Sequence, residues 1–221
     1  MEISEIVLAV AFVAALYVIA KHTILYPPLG RFVETIPNFL THTECDSLID
    51  AAAKTGYERS EVSGSVEPAY LDLDSRKSDQ TWFSPGKHAI SDKIRQKTKD
   101  FVESKGLFEY DFEDLQIAKY GKNGYYKHHF DGDECEDSCP LNQRLCTMIV
   151  YLKEPKSGGG ETDFPKLGIS IQPKKGDAVF FWVANPTTRQ LYEETLHAGM
   201  PVKAGEKIIA TQWIRAKSAS S

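Results

Sequence analysis

From residue 114 onward the chain is a succession of short apolar or alternating runs separated by Gly, Pro and Asp: 115–120, 125–130, 145–152, 169–172, 178–182 and 208–214. Runs of β-branched and aromatic residues at this spacing predict an all-β sandwich or barrel. Two helical stretches precede them. Residues 41–55 carry Thr41 or Thr43 as a cap, with Cys45, Leu48, Ile49 and Ala52 on one face and Gly56 just past the end. Residues 88–104 place Ile90, Ile94 and Phe101 on one side and stop before Gly106. Helices ahead of a run of strands predict a mainly β, α+β chain in which the helices pack outside the β core. The expected architecture is a jelly roll, two sheets facing each other around a cleft. The polar segment 60–84 has mixed strand and loop character.

With 221 residues, 42% of them hydrophobic, the chain has material for one sizeable core, assigned to residues 31–217. The net charge of −5, without a basic patch, argues against a nucleic-acid partner. Residues 1–30 stand apart. Residues 6–20 contain no charge, Gly or Pro, and are followed by Lys21, His22 and the Pro27-Pro28 stem. An all-round apolar stretch needs an apolar surround. It reads as a membrane anchor through residues 6–26, or as a cleaved signal peptide, although Glu2 and Glu5 stand where a basic leader would be. The charge bias around it weakly favours a cytoplasmic C-terminal part. Four cysteines form no CxxC pair, which argues against a zinc knuckle. Cys135 and Cys139 are read either as a small loop disulfide or as two free thiols, and Cys146 as a buried small hydrophobe.

His129-Phe130-Asp131 supplies the first chemical signal. Positions i and i+2 of a strand share a face, so both side chains can reach one ion. His197 completes a set of two His and one carboxylate. Such a facial triad leaves coordination positions open, the arrangement of a non-haem Fe(II) oxygenase. His128 points to the opposite face from Asp131, and His22, His42 and His88 carry no supporting context. Alone, a His-x-Asp pair means little. Its company is Lys207, on a run that puts Lys207, Ile209, Thr211 and Trp213 on one face by period two. A strand paired beside that of His197 would aim Lys207 into the same cleft. Fe(II), one aspartate and a dianionic diacid carry one excess negative charge together, which one lysine cancels.

Five ordered blocks carry a family resemblance: 120–131 (Tyr-Gly…Gly…Tyr…His-x-Asp), 144–152 (Arg-x-x-Thr…Tyr-Leu), 159–165 (Gly-Gly-x-Thr-x-Phe-Pro), 173–182 (Pro-x-x-Gly-x-Ala…Phe-Trp) and 197–207 (His-Ala-x-x-Pro-Val…Gly-x-Lys). Together with 36–40 and Arg76-Lys77-Ser78…Trp82, these resemble the prolyl 4-hydroxylases over residues 32–216. The resemblance implies a double-stranded β-helix with Fe(II) on His129, Asp131 and His197. It implies that Lys207, helped by Tyr120 and Thr162, binds 2-oxoglutarate, and that Tyr126, Arg144 and Trp213 line a peptide groove. It further implies O₂ as cosubstrate, ascorbate as reductant, hydroxylation of proline in an extended peptide, and the endoplasmic reticulum or Golgi lumen as location. Gly159 and Gly160 are read as turn residues. Met200, Ile208 and Arg215 depart from the family's usual Cys, aromatic residue and His. Those changes leave the iron ligands intact and bear on which peptide is taken.

Two alternatives stand beside this reading. One keeps the chemistry and directs it at another protein side chain. The other is a non-catalytic module binding metal through the acidic stretch 131–137, a poor EF-hand match because Glu136 and Asn142 stand where Gly and Glu belong.

Overall fold

A computed structural model describes residues 31–61, 74–136 and 138–217. Thirteen strands and two helices are formed there. They are β1 (Val33–Ile36), α1 (His42–Thr55), β2 (Glu58–Arg59), β3 (Arg76–Lys77), β4 (Asp79–Phe83), α2 (Ala89–Ser104), β5 (Tyr110–Phe112), β6 (Leu115–Tyr120), β7 (Tyr125–His129), β8 (Arg144–Lys153), β9 (Thr162–Phe164), β10 (Ile169–Ile171), β11 (Ala178–Trp182), β12 (His197–Gly199) and β13 (Lys207–Ala216). The larger sheet runs β1-β11-β8-β13-β6-β4-β2, with β5 also on β13; the smaller runs β10-β9-β12-β7-β3. The jelly roll expected from the sequence is therefore the fold.

Strands β8, β11 and β13 are buried along nearly their whole length. One face meets the helices and the other the smaller sheet, so their sequences read as continuous apolar runs rather than alternation. Between the sheets lies a cluster that includes Tyr120, Ile149, Tyr151, Phe164, Phe181 and Ile209. Each large side chain removed from water there contributes roughly 1.5–3 kcal/mol.

Helix α1 begins at a capping box: Glu44 N–H donates to Thr41 Oγ1 (3.2 Å), and Thr41 N–H donates to Glu44 Oε2 (2.9 Å). Thr41 is thus the cap, not Thr43. Cys45, Leu48 and Ala52 are buried as expected, and α1 packs on β8. On α2 the buried face is Ser91, Ile94, Thr98 and Val102 rather than Ile90, Ile94 and Phe101. Two hydroxyls can sit inward because each is satisfied within its own helix, Ser91 Oγ on His88 O (2.7 Å) and Thr98 Oγ1 on Ile94 O (2.8 Å). Lys93 pairs with Glu44 and ties the two helices together.

Seven strands have no run of their own in the sequence, β1 to β5, β9 and β12, although β3 and β4 fall within the segment 60–84 read as mixed strand and loop. Most have two to four residues, too few for a period to show. One expectation is corrected. Lys207 does not pair beside His197's strand; β13 pairs with β8, β6 and β5 in the larger sheet, while β12 belongs to the smaller one. Cys135 and Cys139 form a disulfide, and Cys146 is a buried free thiol. The anchor or signal read at residues 6–26 lies outside the described residues. Among the described residues, no helix is long and apolar enough to cross a membrane.

Candidate active site

Three consecutive strands of the smaller sheet assemble one wall. His197 on β12 is the direct cross-strand partner of His129 on β7, and on its other side β12 sets Gly199 opposite Thr162 of β9. Strand β7 stops at His129, and Asp131 lies in the bend just beyond. The result is a cluster of His129, Asp131 and His197 whose ligand atoms all lie within 4.8 Å of one another. Asp131 Oδ1 is 3.4 Å from His129 Nε2 and 3.7 Å from His197 Nε2. Each imidazole is oriented through its far nitrogen. His129 Nδ1 lies 2.7 Å from the Lys127 carbonyl and His197 Nδ1 3.0 Å from that of Thr195. That contact fixes the ring and leaves Nε2 as the ligating lone pair. Tyr126 stacks on His129 (centroids 3.5 Å apart, 17° between planes), and Phe164 and Phe181 pack against His197.

The electrostatics suit a metal. Burial, joined by the neighbouring His129, pushes His197 down to about 4 against the opposing pull of Asp131, so the ring stays neutral. Burial alone would raise the Asp131 carboxyl. His197, the His129 hydrogen bond and Arg144 outweigh it and hold the group well below the usual carboxylate range. A neutral His197 ring and an ionised Asp131 carboxylate are the protonation states that ligation requires.

The facing wall comes from the larger sheet. Lys207, Ile209, Thr211 and Trp213 line the same pocket as the triad, as period two predicted. Lys207 is 3% exposed. Among the described residues no carboxylate pairs with it, and its ammonium instead lies 5.6 Å from the ring centroids of Tyr120 and Tyr151. Burial pushes it down to about 7. A buried cation without a counter-charge is costly unless an anion completes it, so this wall fits a carboxylate ligand. Thr162 Oγ1 is 2.8 Å from Tyr151 Oη, and both Thr162 and Tyr120 line the pocket.

An open groove continues from this pocket past Tyr126, Arg144 and Trp213, the three residues expected to contact a peptide, and is flanked by Trp82, Arg76 and Arg215. The Arg144 guanidinium lies 4.0 Å over the Trp213 ring and forks onto Glu113 at 2.6 and 2.7 Å. All nine residues named from the sequence therefore converge on one pocket and its adjoining groove. His128 points away, 3.7 Å from Asp163 and half-exposed.

Sequence reasoning did not assign roles to Thr147, Tyr151, Arg76 or Glu113. Thr147 donates to Asp131 Oδ2 at 2.7 Å, and its signal was a hydroxyl inside an otherwise apolar run. Arg76, 5% exposed, sits 4.7 Å over Tyr126 and bonds Gln116 at 3.0 Å. Glu113 also takes Arg215 at 2.6 Å, and only tertiary pairing reveals that role.

Two imidazoles and a carboxylate on one wall of a β jar, with the buried Lys207 side chain on the other, suit a non-haem iron oxygenase with room for an anionic cosubstrate. Residues 115–215 match the 2OG-Fe(II) oxygenase superfamily. The fold is shared with the viral collagen prolyl hydroxylase of Paramecium Bursaria Chlorella virus-1, solved as a 2OG complex, at 54% identity and a TM-score of 0.76 over 85% of this chain and 97% of that one. The chain is 31% identical over 191 residues to the "Putative prolyl 4-hydroxylase" of Acanthamoeba polyphaga mimivirus, covering 83% of this chain and 74% of the relative. It is 30% identical to the mouse prolyl 4-hydroxylase subunit alpha-1 over 76% of its own length, and spans 31% of that subunit. The chain belongs to the prolyl 4-hydroxylase family of 2OG-Fe(II) oxygenases. Its reaction class is Fe(II)- and 2-oxoglutarate-dependent oxygenation.

Proposed function

We propose that His129 Nε2, Asp131 Oδ1 and His197 Nε2 hold Fe(II), that Lys207, Tyr120 and Thr162 hold the distal carboxylate of 2-oxoglutarate, and that proline in an extended peptide is hydroxylated in the groove over Tyr126, Arg144 and Trp213. The observation that carries this reading is Lys207, buried and, among the described residues, without a carboxylate partner, facing the triad across one pocket.

Fe(II) with 2-oxoglutarate and O₂ supplies the oxidation, in which the keto acid goes to succinate and CO₂ while one oxygen atom enters a C–H bond. The protein's part is positioning and exclusion of water. Lys207 neutralises the far end of the diacid in a site too dry to leave that charge unpaired. Tyr120 and Thr162 aim it. Phe164 and Phe181, both fully buried, close the space behind His197. The stack of Tyr126 on His129 fixes the imidazole at the groove mouth. No side chain has to transfer a proton.

The groove's aromatic flanks, with Trp82 and Trp213 6.0 Å apart, suit a polyproline II segment. A relative named as a collagen prolyl hydroxylase, at 54% identity, supports proline as the target. Ascorbate, typical of the family, would serve as reductant. The apolar stretch 6–26 would anchor the enzyme in a membrane of the secretory pathway, facing the endoplasmic reticulum or Golgi lumen. The Cys135–Cys139 pair accords with an oxidising compartment.

The test is incubation with Fe(II), 2-oxoglutarate, ascorbate and Pro-rich peptides, read by mass spectrometry. Gain of one oxygen on proline, matched by succinate and absent in Asp131→Ala, is expected. Succinate release with every Pro-rich peptide unmodified would contradict the substrate assignment.

A further inference from the structure

The Asp131 carboxylate treats its two oxygens differently. Oδ1 faces both imidazoles, at 3.4 and 3.7 Å. Oδ2 is turned to β8, where the Thr147 hydroxyl donates to it at 2.7 Å. Thr147 is fully buried, and its ladder partners are Phe181 and Trp213. The backbone of Asp131 is fixed separately, since Arg144 Nη1 donates to its carbonyl at 3.0 Å. The remaining freedom of the carboxylate is rotation about its own axis, and the Thr147 hydrogen bond opposes that rotation.

A carboxylate that binds through one oxygen, with two imidazoles, leaves three positions of an octahedral ion open. A bidentate keto acid and O₂ need three between them. A carboxylate binding through both oxygens would leave two. We propose that Thr147 is a positioning residue: its hydroxyl holds Oδ2 off the metal, keeps Asp131 a one-oxygen ligand and so preserves the opening that 2-oxoglutarate chelates into. The inference rests on the reading of Asp131 as an iron ligand. It requires the hydroxyl and not the shape of the side chain, which separates it from a packing role.

Thr147→Val keeps the shape and removes the donor; Thr147→Ser keeps the donor and removes a methyl. In anaerobic titrations of Fe(II)-loaded protein with 2-oxoglutarate, read by the metal-to-ligand charge-transfer band, Thr147→Val should weaken 2-oxoglutarate binding about tenfold or more, on the scale of the losses in metal affinity or activity that follow removal of a ligand's hydrogen-bonding partner. Thr147→Ser should stay within about threefold of the native protein on the same scale. Should Thr147→Val not fold, Thr147→Ala carries the same expectation. Native affinity and an unshifted band in the folded donor-less variant would overturn the proposal. Mn(II) binding without 2-oxoglutarate, followed by electron paramagnetic resonance, is measured in parallel on Asp131→Ala. If that variant also binds like the native protein, it is the iron-site reading that fails; if it loses the metal while Thr147→Val behaves as native, the Thr147 role alone is refuted.

Discussion

His197 and Lys207 lie ten positions apart in the chain but belong to different sheets, and their side chains close on one buried pocket from opposite walls. The chain leaves β12, crosses the end of the sandwich through residues 200–206 and re-enters as β13. A metal site and an anion site are thereby built face to face from one short stretch of sequence. The proximity is electrostatic as well, because the Lys207 ammonium helps keep His197 unprotonated.

Lys207 gives the pH dependence. Its ordinary value is 10.5 and burial brings it to about 7. The folded value is the lower one, so between these two the unfolded chain binds the extra proton. The ligand-free protein therefore gains stability as pH rises through that window, and the contribution is gone once pH falls below about 7. Binding a dianion demands the charged lysine, so binding takes up a proton and affinity for 2-oxoglutarate weakens by up to about tenfold per pH unit above the folded value. Titrations at a series of pH values check this. Lys207→Ala should bind far more weakly throughout, and the native slope should be absent from it.

Gly160 makes room for that lysine. At φ +73° it adopts a conformation that L side chains rarely take, and a Cβ there would sit 3.1 Å from Pro155 Cγ and 3.2 Å from Lys207 Cδ. Gly160→Ala should strain the backbone by roughly 1–3 kcal/mol and displace the ammonium. The expected kinetics are a raised KM for 2-oxoglutarate with little change in KM for peptide. Equal rises in both would point to general damage.

Arg144 is held by three contacts at once, the Glu113 fork, the Trp213 face and the Asp131 carbonyl. Lysine cannot reproduce a planar bidentate contact or the stacking. Arg144→Lys should raise KM for peptide about tenfold or more, equivalent to at least roughly 1.4 kcal/mol, with a smaller weakening of the 2-oxoglutarate charge-transfer band through the lost contact to the Asp131 carbonyl. Steady-state kinetics beside the anaerobic spectrum separate the two effects.

The disulfide Cys135–Cys139 closes a short loop between Asp131 and Arg144. Loop-closure entropy for so few residues gives about 2 kcal/mol. Cys139→Ser should lower stability by that order in denaturant melts, and native protein under reductant should match it. Identical melts with and without reductant would show that the bond contributes nothing.

Much of this was legible in the residues, for physical reasons. The six runs appear as β6, β7, β8, β10, β11 and β13; β6, β8, β11 and β13 are nearly continuous because strands covered on both faces are apolar along most of their length, whereas β7 and β10 are partly exposed and were marked by their aromatic and β-branched residues. Period two along 207–213 located the site-facing set on β13. The short strands β3, β9 and β12 were not legible; they exist through their ladder partners, not through a pattern of their own. For the same reason the sheet to which Lys207 belongs was misplaced, since pairing order is a property of the whole chain. On α2, Ser91 and Thr98 disguised the inward face because their hydroxyls are satisfied locally. The resemblance located the iron and keto-acid residues, but the Thr147 contact needed coordinates, because a hydrogen bond across 16 residues leaves no spacing rule.

The central claim is that His129, Asp131 and His197 share one ferrous ion opposite Lys207. The most direct measurement is the visible absorption of the protein under anaerobic conditions with Fe(II) and 2-oxoglutarate. A metal-to-ligand charge-transfer band should appear in the native protein, vanish in His197→Ala, and need a far higher keto-acid concentration in Lys207→Ala. A native band of full intensity in His197→Ala, or no band in the native protein, would contradict the account.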